Sequence, residues 1–170
     1  MAENVQINWP KVKNIFEKAA ARMQEHPDQP AVGAPKAIVR VVKERLFEAT
    51  AEGHSFQIDE PVARGGEGLA PSPMAYFAAG AAACLTSHIT QSAAFLEIHF
   101  TDLEVEAIVL WDNRRKFNIA DLDQAALGMI FNIEIKSDEL RDKLVELLKH
   151  AEDGCYASDV VRNKTPLRAH

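Results

Sequence analysis

Cysteine is scarce in this sequence: Cys84 and Cys155 are the only two among 170 residues. Two thiols cannot build a disulfide-dense mini-protein or a four-thiolate zinc site. They lie 71 residues apart, so they form neither a CxxC redox motif nor a metal-ligand spacing. A basic excess is also missing. Nineteen Lys and Arg stand against 25 Asp and Glu, a net charge of −6, which argues against a nucleic-acid-binding protein. The longest apolar run, Met74 to Leu85, has 12 residues, short of the ~20 that span a bilayer. Met1 to Trp9 shows no basic region followed by an apolar core, so no secretory signal is expected. There is no internal repeat and no low-complexity run. The chain is expected to be soluble, cytoplasmic and free of nucleic-acid or membrane partners. In that compartment cysteines are more often reduced or catalytic than static staples.

What is present is globular composition, 47% hydrophobic and 26% charged, at a length that suits one domain. Trp9 to Gln24 reads as a helix, with Pro10 in its first turn and Val12, Ile15, Phe16, Ala19 and Met23 on one face. His26 to Pro35, with three prolines and a glycine, reads as a linker. Residues 1–35 are therefore expected to be an appendage on a main body of residues 36–170. Ala37–Val42, Leu46–Thr50 and His54–Ile58 predict a meander of antiparallel strands, ended by Asp59-Glu60-Pro61.

The segment from Arg64 to Pro73 is a loop dense in glycine and proline. Met74 to Leu96 then predicts a long helix, apolar on nearly every face from Met74 to Leu85 and hence expected to be buried there. Leu103 to Trp111 predicts a strand with Glu104, Glu106, Ile108 and Leu110 on one face, more buried toward its end. Asp112 to Asp123 is a polar connection, and Met129 to Ile135 a further strand. A last helix should start at a Ser137 N-cap, bury Leu140, Leu144, Leu147, Leu148 and Ala151, and stop at a left-handed Gly154.

Cys84 falls in the buried helix and Cys155 just after a helix stop, at an exposed end. A sheltered thiolate that attacks and a more mobile one that resolves would be arranged this way. The reactive species is the thiolate, and apolar surroundings push a thiol above its free value of ~8.5. Cys84 therefore needs a cation or donor, and His88, one turn along, is a candidate. The alternatives are two buried thiols acting as small apolar fillers, or a structural disulfide, which needs a Cα separation of at most ~7 Å.

Gly65-Gly66-Glu67-Gly68-Leu69-Ala70-Pro71-Ser72-Pro73-Met74, continuing to Ala81-Ala82-Ala83-Cys84, resembles the family of osmotically inducible protein C (OsmC) and organic hydroperoxide resistance protein (Ohr). Cys155-Tyr156-Ala157-Ser158, with Arg162 beyond, resembles that family's Cys-Pro-x-Ser segment. The likeness covers about Pro35 to Arg162. It implies an α+β, OsmC-like fold, with antiparallel sheets wrapping two central helices in an intertwined homodimer, plus an extra N-terminal helix.

The resemblance implies a thiol peroxidase acting on organic hydroperoxides. Cys84 would become a sulfenic acid, Cys155 would condense with it to a disulfide, and an external dithiol would reset the pair. No metal or bound organic cofactor is implied. The family's activating arginine corresponds best to Arg45, with Arg40 as the alternative. Met74, Phe77, Phe95 and Phe100 either line a peroxide pocket or pack in the core.

The sequence departs from the family at two places. In the peroxidase branches a glutamate follows the proline of the cysteine helix and orients the arginine, whereas Met74 follows Pro73 here; Glu67 is a candidate substitute. Tyr156 also replaces the proline after the second cysteine. The Pro73-Met74 pair resembles a less characterised OsmC-like branch, and loss of the orienting glutamate leaves a second reading open, an OsmC-fold binding or stress-response protein with weak or no peroxidase activity.

Overall fold

The computed structural model describes residues 5–122 and 124–163. It is α+β, and its contacts divide into two compact units, Met23–Phe77 and Met1–Arg22 with Ala78–His170. Asp123, the end of the expected polar connection, lies outside the described residues.

The smaller unit is a three-stranded antiparallel meander in the order β1 (Ala37–Lys43), β2 (Leu46–Ala51), β3 (His54–Asp59). Its β2–β3 hairpin closes Ala51 on His54 through Glu52-Gly53. Both turn residues have positive φ, 49° and 83°, the two-residue turn whose twist matches the flanking strands. A bulge lies between Val41 and Lys43, and Glu44 takes φ 48° at the turn into Arg45.

Beyond β3 and a short 3-10 turn, Val62–Arg64, the glycine-rich loop folds back on the strand end. Asp59 is 1% exposed, and its Oδ2 accepts the N–H groups of Glu67 at 3.1 Å and Leu69 at 2.9 Å. A Cβ on Gly66 would stand 1.8 Å from the carbonyl oxygen of Glu60, so only glycine lets the backbone approach this closely. Tyr76 anchors the following helix by donating its hydroxyl to the Gln57 carbonyl at 2.7 Å.

The larger unit holds α1 (Trp9–Gln24), most of α2 (Pro73–Leu96), the antiparallel pair β4 (Asp102–Trp111) and β5 (Ala126–Lys136), and α3 (Arg141–Asp153) with α4 (Tyr156–Arg162). Its core gathers Leu85, Ile89 and Ala93 of α2, Ile98 and Phe100 after it, Leu147 and Ala151 of α3, and Cys155. The sheet covers this core with Leu103, Val105, Phe131, Ile133 and Ile135. No helix among the described residues is long and apolar enough to cross a membrane.

Several local expectations change. α1 has the expected bounds but buries no residue; Ile15 and Met23 are half exposed, and Trp9 makes the core contact, edge-on to Phe100 at 5.0 Å. α2 is buried along Ala81, Leu85, Ile89 and Ala93, the i, i+4 stripe, whereas Ala75, Phe77, Ala79, Gly80 and Ala83 are exposed. An apolar helix surface stays open where no described element packs on it. The far end of the outer sheet face is likewise open, with Ile108 opposite Ile130 and Leu110 opposite Gly128.

Ser137 does not cap α3. Its hydroxyl donates to the His99 carbonyl and accepts from Glu139 N–H, and the N-cap is Leu140, which is exposed rather than part of the buried stripe. Gly154 is right-handed, φ −90°, ψ −5°, because the chain turns directly into α4. That short helix was not legible in the sequence.

Candidate functional site

The fold brings the two cysteines together. α2 runs through the core and carries Cys84 one turn before His88. α3 ends at Asp153, and Cys155 is the N-cap of α4. The two Sγ atoms stand 3.7 Å apart with both residues free, so residues 71 positions apart share one site.

Burial is the reverse of the expectation. Cys155 is 1% exposed within the core, and Cys84 is the half-buried sulfur. The reason is α4: the chain does not trail into solvent after α3 but folds back, covering the second cysteine with its own first turn. Cys84 is therefore the sulfur that a solute reaches.

The donors around the sulfurs come mostly from that turn. Burial pushes the Cys84 thiol up, and Cys155 opposes its ionisation further, while the N–H groups of Ala157 and Tyr156 favour its thiolate without offsetting the rise. Burial also works against ionisation of Cys155. There the Ser158 hydroxyl and N–H, the Cys84 thiol and the Ala157 N–H outweigh it, so this thiol lies below its ordinary value. Hydrogen bonding to the charged form favours that form. Sequence reasoning placed Ser158 only within a motif; the structure buries it, 4% exposed, in the first turn of α4.

His88 does not serve as the donor for Cys84. Its ring sits edge-on to Tyr156, centroids 5.1 Å apart, and burial lowers its pKa, so it is neutral near pH 7. Tyr156, in place of the family proline, is 75% exposed. Of the four candidate pocket residues, Phe100 is core, Phe95 lies against Phe16 at 6.4 Å, Phe77 is exposed and Met74 half-buried.

Arg45 belongs to the smaller unit. Its Nη2 donates to Glu60 Oε1 at 3.0 Å, and Arg64 approaches Glu60 Oε2 at 3.7 Å. Glu60 is 8% exposed. Glu67, the expected substitute carboxylate, pairs instead with Lys43 at 2.8 Å. Arg45 thus does have a buried carboxylate, but it is Glu60, at the end of the meander. The sequence signal was there, an acidic pair directly after an apolar strand and before Gly65-Gly66. Arg40 faces Glu48 across an exposed part of β1–β2.

Comparisons with known proteins agree with this architecture. A structure of an OsmC-like protein from Mycoplasma pneumoniae superposes with a TM-score of 0.67 at 14% identity, over 78% of this chain and 89% of that one. A Legionella pneumophila structure is described as an organic hydroperoxide resistance protein OsmC, predicted redox protein, regulator of sulfide bond formation. It shows 25% identity and a TM-score of 0.61 over 79% of this chain and 93% of its own. The organic hydroperoxide resistance protein OhrB of Bacillus subtilis shows 27% identity and a TM-score of 0.58 over 79% and 94%. No curated protein matches. The family model for OsmC-like protein matches residues 65–170, a span that begins in the glycine-rich loop and includes both cysteines. The chain belongs to the OsmC-like protein family.

Proposed function

We propose that this protein is a thiol-dependent peroxidase that reduces organic hydroperoxides, with Cys84 as the peroxidatic and Cys155 as the resolving sulfur. The observation that carries this reading is the 3.7 Å approach of two free thiols from opposite ends of the family match. A disulfide needs ~2.05 Å between sulfurs, so side-chain movement closes the gap. The greater exposure of Cys84 supports giving it the peroxide. Two relatives with a quarter or more of their residues identical are named for organic hydroperoxide resistance, which supports the substrate class.

In this reading Arg45 is the activating cation, a role assigned by the family resemblance. An external dithiol reduces the Cys84–Cys155 disulfide, with no bound metal or organic cofactor, in a reducing cytoplasm. The working unit is a homodimer. Its support is the apolar surface left open on one chain: Phe77, Ala79 and Ala83 of α2, and Ile38, Val39, Val41 and Val42 along β1. Exposed large apolar side chains are characteristic of interaction faces.

The test is consumption of cumene hydroperoxide or a fatty-acid hydroperoxide by the purified protein with a dithiol. Cys84→Ser should abolish turnover, and Cys155→Ser should leave a single oxidation without cycling. Normal turnover in Cys84→Ser would exclude the assignment. The binding or stress-response reading has its own support: Met74 stands where the family's orienting glutamate would be, and the Cys84 thiol is pushed up rather than down. It predicts that Cys84 is oxidised by these peroxides no faster than an ordinary buried thiol.

A further inference from the structure

Cys84 is the more accessible sulfur, and its neighbours on α2 are small with one exception. One turn away, Gly80 has no side chain, Ala81 is buried and Ser87 carries only a hydroxymethyl group. His88, at i+4 and so on the same face as Cys84, is the one ring. It is half-buried, and burial keeps it uncharged near pH 7. The start of α4 adds a second ring. The Ala157 and Tyr156 N–H groups face the Cys84 sulfur, while the Tyr156 side chain lies against His88, centroids 5.1 Å apart and planes at 86°. Tyr156 is thus tied to the sulfur through its backbone and to His88 through its ring.

An aromatic ring stabilises a fold by leaving water. Tyr156 does not leave it: the residue is 75% exposed, although His88 fixes how its ring stands. The family's proline at this position has no π face to offer. Two rings at a right angle bound a recess. A flat aryl group laid in it stacks on one ring and meets the other edge-on, the two arrangements that aromatic pairs favour. An alkyl group gains contact area there but neither arrangement. Two other rings that could have received an organic group pack elsewhere, Phe100 in the core and Phe95 beside Phe16.

We propose that Tyr156 and His88 form an aryl-binding recess beside Cys84, and that it selects hydroperoxides whose organic group carries an aromatic ring over compact alkyl ones. This rests on the peroxidase reading for the nature of the ligand, not for the recess itself. Tyr156 and His88 are specificity residues: they hold the organic group and move no proton. Tyr156 is also the residue next to the second sulfur, so the aryl group and the 3.7 Å thiol pair share one end of α4.

Two maleimides test the recess without any peroxide. Both add a thiol across the same double bond, and they differ in carrying an N-phenyl or an N-ethyl group. On the reduced full-length protein, with the adduct mapped to Cys84 by mass and each rate divided by that of free cysteine, the phenyl reagent should be favoured by about three- to tenfold, the range that aromatic pairing supplies. Tyr156→Ala should remove this preference, Tyr156→Phe should keep it, and His88→Ala should lower it. Equal corrected rates in wild type, or an undiminished preference in Tyr156→Ala, would overturn the proposal. The wild-type comparison decides it even if the variants fold poorly. With peroxides, the ratio of kcat/KM for cumene hydroperoxide to that for tert-butyl hydroperoxide should fall in Tyr156→Ala by a similar factor, and an unchanged ratio would overturn the selectivity. No turnover of either peroxide in wild type, beside an intact phenyl preference, refutes the peroxidase reading and upholds the recess.

Discussion

At the scale of single residues, the carboxylates at the end of β3 matter as much as the thiols. Asp59 carries its charge in near-complete burial because the loop supplies backbone N–H donors. The Leu69 N–H is the strongest of these; burial opposes it, and Glu67, Glu60 and Gly68 add to it, so the carboxyl lies below its usual value. The sign of the linkage follows from that depression. The ionised carboxylate stabilises the fold at every pH above the unfolded value of ~3.9 and loses that effect as pH falls through the lower folded value. Urea unfolding at stepped pH should therefore show wild type losing stability below about pH 4. Asp59→Asn should be less stable at neutral pH, with a flatter acid limb. Parallel curves for the two proteins would refute the role of the charge. Glu60 illustrates why such a residue is hard to find in a sequence: its partner Arg45 is 15 positions earlier, and only hairpin closure brings them together.

At the scale of elements, the glycine-rich loop and the first turn of α2 form one piece. The loop wraps the Asp59 carboxylate, turns at Gly65 and Gly68 with φ 84° and 69°, and delivers the chain into the cysteine helix. Gly66 is its tightest point, since an added Cβ would meet the Glu60 backbone carbonyl and carbon at 1.8 and 2.5 Å. Backbone cannot step aside as a flexible side chain can. Gly66→Ala should cost ~3 kcal/mol, at the upper end for single substitutions, and thermal unfolding would measure it. A melting temperature equal to wild type would show that the loop relaxes freely. α3 and α4 form the second such piece. Periodicity identified Leu144, Leu147 and Ala151 correctly as inward-facing, because amphipathic spacing is a property of the chain alone. It could not show that α4 follows at once, since seven residues carry too little pattern.

For the whole molecule, the exposed apolar surface of one chain is the feature that asks for a partner. A helix that reads as buried all round and a first strand exposed along its full length are both accounted for by the homodimer proposed above. Sedimentation should give twice 18.8 kDa, and Phe77→Asp should shift the population toward the single-chain mass by placing a charge within the apolar face. A monomer at micromolar concentration in wild type would refute the dimer.

The sequence by itself determined the elements other than α4, their order and the family. The α1 bounds, the three-strand meander, the long cysteine helix and the paired motifs are local patterns, set by residue spacing and turn chemistry along the chain. Tertiary structure alone decided which sulfur is sheltered, which carboxylate holds Arg45, and that the two sulfurs meet. Each of those is a contact between side chains or a burial produced by packing, and solvent exposure and ionisation depend on what the folded chain lays over a residue.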